Sequence, residues 1–351
     1  MHFFSNIALA ASATSTSAAL ESIIDHPLVK SLIVITFFVI IALFLRFLYG
    51  PKGIRREKHW DDLNRDFNAR EESKKARRAA RQRIEGLQKE LEPVMAREGA
   101  AFTEYARGFY SGDVEKDELY RLKDEHSNGV FKNAWMIIQG EPALQEPQTA
   151  RAALLAALYH DIGRFEQLRA YNTFDDASSL NHAVLSAKIL ADQSFMPGEN
   201  PQTRRLTRAA IAMHNRAALP ASLDPESKLG LIARTLRDAD KLDIIRIMQE
   251  ALRPGSNSDP AISFNLPEEP CRYTASVARA VIDNRAVCRD DRRFRNDFRL
   301  YICNWAGFLE FTTSLRLLAR SGHLENLLSW LPQDQSMNKV REAVRARLNG
   351  A

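Results

Sequence analysis

The sequence predicts an all-α protein, on three observations. Apolar residues recur every three or four positions in several segments of the middle of the chain, which is the period of a helix. Strand signals are scarce, and one long polar stretch is rich in the helix formers Ala, Arg, Glu and Lys. We expect five segments in order: an N-terminal tail (1–28), a transmembrane helix (29–49), a basic helical linker (50–92), a globular domain (100–335) and a C-terminal tail (336–351).

An apolar run near the start, from Val29 to Tyr49, is long enough to cross a bilayer, since about 20 helical residues span the hydrocarbon core. Lys30 and Arg46 lie near its ends, where their side chains can reach the headgroups. The alternative is a cleaved signal peptide, but no small-residue cleavage site follows the run. The early segment ALAASATSTSA could mimic such a site, and cutting there would leave the spanning helix in place. We therefore expect residues 29–49 to contact a lipid bilayer.

The segment from Lys52 to Arg83 is strongly basic. It holds twelve Lys or Arg against six acids, a net of +6, whereas the whole chain carries +5. Because basic residues flank membrane helices on the cytoplasmic side, the C-terminal bulk of the chain should face the cytoplasm, with this arm near anionic headgroups. Nucleic-acid binding is the competing explanation, and the sequence argues against it because Trp60 and Phe67 are the only aromatic residues here.

The linker is expected to be helical from Glu57 to Glu92 and to be broken by Pro93. A spacing of 3, 4 and 3 is shared by four apolar residues, Ile84, Leu87, Leu91 and Val94. This spacing suits a short coiled-coil seam and hence a homodimer through the linker helix, although two heptads are few. The domain that follows, of about 240 residues, is long enough to bury a sizeable core.

Four histidines and two aspartates stand in order along the middle of the chain. They are His126, His160, Asp161, His182, His214 and Asp240. Each shares a helix face with apolar residues three or four positions away, as a side chain that points into a core must. One buried His is more often a hydrogen-bonded core residue than a ligand. Four of them with two inward carboxylates are hard to satisfy without a cation, so the sequence predicts a metal site.

The His160–Asp161 pair closes the segment from Ala150 to Tyr159, which is apolar nearly all round and predicts a helix buried on every side. Gly163 is placed to end that helix, because glycine adopts the left-handed conformation freely. Asp238 lies about 200° around its helix from Asp240 and is assigned to solvent or to a supporting role.

His182 opens a helix, for which Ser178, Ser179 or Asn181 can supply the N-cap.

Mixed imidazole and carboxylate ligands favour one or two divalent transition-metal ions (Fe, Mn, Co or Ni) over Mg or Ca. The absence of Cys from the set argues against a structural zinc site. The cysteines themselves are widely spaced and odd in number, which fits reduced thiols in the cytoplasm: Cys271, Cys288 and Cys303.

The motifs around these residues resemble the HD superfamily of metal-dependent phosphohydrolases, whose signature is a His, a His-Asp pair and a distant Asp. The matching stretches are DEHSNGVFKNA around His126, LLAALYHDIGRFEQ around the pair and RDADKLDII around Asp240. HDIGRFEQ, NHAVLSAKIL and DADKLD are similar to a bacterial subgroup of predicted hydrolases. The resemblance runs from about Leu119 to Ile247 and implies an HD-domain helical bundle that holds metal between helices. With the charge pattern, it implies a single-pass protein of the bacterial inner (cell) membrane with a cytoplasmic C-terminal domain.

His182 and His214 resemble the additional histidines of HD-GYP phosphodiesterases. That resemblance implies that they hold a second ion, that Asp161 bridges, and that the other predicted ligands hold the first. The sequence departs from HD-GYP proteins because it lacks a Gly-Tyr-Pro motif, carries Asn215 where they have a second consecutive His, and has Arg164 in place of the Lys after HDIG. Cleavage of cyclic dinucleotides is therefore not implied.

The expected function is a membrane-anchored phosphohydrolase acting on a nucleotide or another phosphate ester, mono- or diester, with a metal-activated water. Asp161 and Arg164 are the expected catalytic residues, Arg164 as a phosphate clamp because a guanidinium binds two oxygens at once. For Lys241, the second candidate clamp, a solvated charge is the favoured interpretation. The alternative function is a catalytically silent ligand sensor or membrane scaffold with the same fold.

The long loop from Arg253 to Pro270 could cover the site, although an ordinary surface loop is the favoured interpretation.

Overall fold

The computed structural model describes residues 26–50, 58–192, 195–256 and 266–350. Within these ranges the chain is helical and contains no β-strand, which confirms the all-α prediction. The chain divides into two compact units, Met1–Gln82 and Arg83–Ala351. Most of the expected N-terminal tail (1–25) and the start of the linker (51–57) lie outside the described residues.

The first unit contains helix α1, Pro27–Tyr49, which begins two residues before the predicted span. Pro27 occupies its first turn, where the missing N–H group has no partner to lose, and the His26 side chain accepts a hydrogen bond from the Leu28 N–H. None of its residues is buried. Within the described residues it is the one helix long and apolar enough to cross a membrane, a property that a signal sequence also has.

Helix α2, Lys58–Arg107, continues through Pro93, so the predicted break at this proline is wrong. A proline inside a helix costs about 3 kcal/mol. Buried side chains on both sides of Pro93 offset that cost, because Leu87, Leu91 and Phe102 all lie in the core of the second unit. Leu87 and Leu91 are thus used within the chain rather than in a coiled-coil seam, and the homodimer stays a prediction.

The second unit is a bundle of helices. In chain order they are α3 (Val114–Gly140), α4 (Pro147–Tyr159), α5 (Gly163–Tyr171), α6 (His182–Asp192), α7 (Pro201–Met213), α8 (Lys228–Ala251), α9 (Ala275–Ile282), α10 (Arg295–Asn304), α11 (Thr312–Ser321), α12 (His323–Ser329) and α13 (Gln335–Asn349). Helix α4 contacts α3, α7 and α8, and ten of its thirteen residues are buried, as its sequence predicted. It is therefore the central helix of the core.

Helix α4 begins with a side-chain cap and ends one residue before the His-Asp pair. The Glu146 carboxylate accepts hydrogen bonds from the N–H and the hydroxyl of Thr149, which fixes the first turn. Gly163 was predicted to end this helix in a left-handed conformation, and this prediction is wrong. Gly163 instead begins α5. A Cβ atom there would lie 2.8 Å from the main-chain oxygen of His182. Gly163 is therefore required by the close approach of α5 to α6.

Residues 336–351 were expected to be a tail, but helix α13 occupies them as far as Asn349. Met337, Val340 and Val344 are buried, and the helix packs against α9 and α11. Their spacing of three and four residues forms one apolar face, which explains why the helix joins the core.

The loop from Arg253 to Pro270 is described only at its ends, since residues 257–265 lie outside the described residues. The buried Arg299 guanidinium donates hydrogen bonds to the Leu252 carbonyl and pairs with the Glu268 carboxylate. One side chain thus holds both ends of the loop, and the expected cover over the site stays a prediction.

Candidate metal centre

Five helices of the second unit bring the six predicted ligands to one place. They are positioned as follows: His126 within α3, His160 and Asp161 directly after α4, His182 at the start of α6, His214 directly after α7 and Asp240 within α8. All are buried except Asp240, whose side chain is 16% exposed. The Asn181 side chain accepts a hydrogen bond from the Val184 N–H, so one of the predicted caps does fix the start of α6.

The first half of the site is formed by His126, His160 and Asp240, together with Oδ2 of Asp161. The Nε2 atom of His126 lies 3.2 Å from Nε2 of His160 and 3.1 Å from Oδ1 of Asp240. Oδ2 of Asp161 lies 3.8 Å from each of the two Nε2 atoms. Four donor atoms from three helix segments therefore surround one small volume.

The second half is formed by His182 and His214, together with Oδ1 of Asp161. The two Nε2 atoms lie 3.1 Å apart, and Oδ1 of Asp161 lies 3.4 Å from that of His182 and 3.9 Å from that of His214. The Asp161 carboxylate thus directs one oxygen to each half, which is the position of a bridging ligand.

The Nδ1 atom of every imidazole in the site has its own hydrogen-bond acceptor. For His126 it is the Asp243 carboxylate at 2.8 Å, and for His182 the Asp176 carboxylate at 2.7 Å. His160 and His214 each use the main-chain carbonyl three residues before them. An acceptor at Nδ1 holds the proton there, so Nε2 is left to bind inward, as in most metal-bound histidines.

These donors fit divalent cations. Ligand atoms about 2.1 Å from one ion lie about 3 to 3.5 Å from each other, close to the separations within each half. The pair His182 and His214 gives a second test. With both Nδ1 atoms hydrogen-bonded to acceptors, their Nε2 lone pairs face each other at 3.1 Å. A cation between them would turn that repulsion into binding.

The carboxylates and histidines have strongly shifted pKa values. Burial lowers the pKa of His126, but hydrogen bonds to Asp240 and Asp243 outweigh it and raise the pKa to about 9. Burial and the neighbouring histidines lower the pKa of His214 to about 3. Burial alone would raise the pKa of Asp161, yet nearby cations, led by Lys123, hold it well below its usual range. His126 therefore carries a proton that a bound cation would replace.

Two supporting carboxylates and one cation were missed by the sequence reasoning. Asp243 lies three residues after Asp240 on the same helix, and the helical period was the signal that both face inward. Asp176 lies in the segment between α5 and α6, where no periodicity marks an inward residue. The Lys123 ammonium lies 3.1 Å from Oδ2 of Asp161, one helical turn before His126.

Arg164, the expected phosphate clamp, is bound by protein acceptors at one of its terminal nitrogens. Its Nη1 donates to the Phe174 carbonyl at 2.6 Å, to the Gln167 side chain at 2.7 Å and to Asp176 at 3.1 Å. Its Nε lies 3.6 Å from Asp161. The guanidinium therefore braces the segment that carries Asp176, because that segment folds back over α5.

Asp238 was assigned to solvent or to a supporting role, and the solvent assignment is wrong. It is fully buried and accepts hydrogen bonds from the N–H groups of Glu310 and Phe311, just before α11. Burial raises its pKa to about 6. Lys241 is half-buried rather than fully solvated, and burial lowers its pKa.

Residues 124–245 match the family model of the HD domain. The matched span includes every predicted ligand and both supporting carboxylates. The chain therefore contains an HD domain in this region, as its motifs predicted. Searches of curated proteins and of solved structures found no match.

Proposed function

We propose that this protein is a metal-dependent phosphohydrolase that hydrolyses a phosphate ester, a nucleotide or a related compound. The observation that carries the proposal is the place of Asp161, whose two oxygens face two separate pairs of inward Nε2 atoms. A carboxylate between two clusters of nitrogen donors suits two cations at a short separation. The HD domain supports the same chemistry.

Two divalent cations in such a site supply Lewis-acid activation of a water molecule and neutralise charge on a phosphoryl oxygen. The protein side chains contribute by fixing the donors. Asp243 and Asp176 hold the rings of His126 and His182, so their Nε2 atoms need no reorganisation when the site is used. No side-chain nucleophile is required. Asp240 is the most exposed ligand and marks the side from which a substrate would enter.

The donor set also supports a choice of metal. Four imidazole nitrogens and two carboxylates favour Fe, Mn, Co or Ni, in one or two ions per chain, over Mg or Ca. Cys303 is buried and is not in any of the metal-ligand groups found within the described residues. Measuring bound metal in protein purified without chelators tests this choice.

The decisive experiment measures metal content first and then phosphate release from a panel of nucleotide monoesters and diesters, for the native protein and for Asp161→Ala. We expect metal in the native protein, turnover of at least one ester, and loss of turnover by roughly 10³-fold or more in the variant. Bound metal without turnover of any ester would contradict the hydrolase proposal and favour the ligand sensor. Absence of bound metal would contradict the hydrolase proposal as well.

Membrane anchoring is part of the proposal. Helix α1 supports it, because its large apolar side chains are exposed along its whole length. The proposed place is the inner membrane of a bacterium, with the C-terminal domain in the cytoplasm. In spheroplasts of a bacterial host, external protease should leave a C-terminal tag intact. Recovery of the full chain in the soluble fraction, or cleavage of the tag from outside, would contradict this part.

A further inference from the structure

We propose that Lys123 forms an anion subsite at the open side of the metal centre and binds a phosphoryl oxygen of the substrate. This inference rests on the proposed function, because it names the residue that would hold the substrate phosphate there. Lys123 lies on α3, one turn before His126, and its side chain is 17% exposed. It is thus about as exposed as Asp240, while the histidines behind both are buried.

Two contacts fix the Lys123 ammonium in this position. It lies 3.1 Å from Oδ2 of Asp161 and 4.9 Å from the centroid of the Phe174 ring. A ring face attracts a cation, so the aromatic side chain holds the ammonium beside the cluster rather than out in solvent. Phe174 itself packs against the hydrophobic core. The position of the charge is therefore built into the fold.

The hydrogen-bonding capacity of Lys123 exceeds what its protein partners use. An ammonium group has three N–H donors. Within the described residues, the Asp161 carboxylate is its one ion-pair partner. The remaining N–H donors are available to the oxygen of an anionic ligand.

The charge balance also favours an anion at this point. The ligand set contains two carboxylates, Asp161 and Asp240, and Asp176 and Asp243 contact its histidines, so two bound divalent cations would already balance all four negative charges. Lys123 adds a further positive charge beside them. A phosphoryl group, with several anionic oxygens, is the ligand class that such an excess attracts.

Arg164 is the other cation beside Asp161, but its guanidinium is engaged at Nη1 by the protein. Its Nη1 already serves three acceptors in the protein, including the Phe174 carbonyl. The Nη2 atom of Arg164 lies 3.4 Å from Nε2 of His182, in the second half of the site. The sequence favoured Arg164 as the clamp because of its type, whereas the structure assigns the phosphate contact to Lys123.

The test compares Lys123→Met with Lys132→Met in the full chain, purified in detergent and loaded with Mn²⁺ or Co²⁺. Lys132 lies on the same helix about 180° away and is exposed, so it controls for the loss of one charge. Binding of inorganic phosphate is measured by calorimetry, and metal content is measured on the same samples. We expect Lys123→Met to weaken phosphate binding roughly 10-fold to 100-fold with metal content unchanged, and Lys132→Met to change neither. Lys123→Arg should restore part of the affinity.

Unchanged phosphate affinity in Lys123→Met would overturn the inference. A fall in phosphate binding that follows a fall in metal content would overturn it as well, because Lys123 would then act on the metal ligands. Failure of the proposed function looks different. If phosphate binding depends on Lys123 while no ester is hydrolysed, the subsite stands and the hydrolase proposal falls.

Discussion

The two halves of the metal centre are built alike but supported differently. In each half, one histidine has its Nδ1 on a carboxylate and the other on a main-chain carbonyl three residues back. The first half adds a carboxylate of its own, Asp240, and its supporting Asp243 lies within α8 and is almost fully buried. In the second half the supporting Asp176 lies in a loop, and its side chain is 30% exposed.

From this difference we expect the two halves to have unequal affinities for cations. Four donor atoms face the first half and three face the second, since Asp161 contributes one oxygen to each. A carboxylate on a buried helix also positions its histidine more firmly than one on a partly exposed segment. The first half should therefore fill first and empty last.

The largest effect is expected when one histidine is removed from each half in turn and the metal content is compared. His214→Ala should retain one ion per chain, in the first half. His126→Ala should lose the first-half ion and also lower the free energy of unfolding by about 1 to 3 kcal/mol, because the buried Asp243 loses one of its two partners and keeps only Arg246. Metal analysis after dialysis and urea unfolding measure both quantities. Loss of all metal in His214→Ala would contradict the unequal halves.

A smaller effect is expected from the supporting carboxylates. Asp243→Asn and Asp176→Asn keep an acceptor for the imidazole but remove its charge, so each should weaken metal binding in its own half by about tenfold. Competition with a chelator measures the two affinities. Asp175→Asn, at the exposed neighbour of Asp176, is the matched control and should leave both affinities unchanged. Equal weakening of both halves by either variant would argue against two separate sites.

The smallest expected effect concerns α4, which supplies ligands to both halves. Burial raises the pKa of Glu146, but hydrogen bonds, chiefly from Thr149, outweigh this and lower it to about 2 from an ordinary 4.5. Since the folded pKa is the lower one, this stabilisation is present above about pH 4.5 and is lost as the pH falls toward 2.

Glu146→Gln should therefore lower the free energy of unfolding at neutral pH by less than about 1 kcal/mol, because the side chain is half exposed and water screens its charge. The difference from the native protein should shrink in acid, which urea unfolding at neutral and at low pH measures. Metal stoichiometry should not change. A change in the metal content of one half alone would show that α4 does not support the two halves equally.

Much of the site could be predicted from residue types and spacing. The helical period places His126 and Asp240 on inward faces, and the apolar segment before His160 predicts a buried helix that delivers the pair to the core. All six predicted ligands do come together. The spanning length of α1 follows in the same way, because it depends only on consecutive residues.

The prediction failed where the outcome depended on packing between segments distant in sequence. Pro93 is tolerated because of residues that pack on both sides of it, and residues 336–351 form a helix because they complete the core. Arg164 pairs with Asp176 in the segment after α5, and Lys123 pairs with Asp161 at the end of another helix. No local pattern predicts either contact.

The sequence by itself determined the class of fold, the six candidate ligands and the apolar helix, because each follows from the chemistry of a residue and the period of one helix. The tertiary structure decided how the candidate ligands divide into two halves, which acceptors hold their Nδ1 atoms, and which cations lie beside Asp161. Those features are distances between helices, and such distances are fixed by the packing of the whole core rather than by any local pattern.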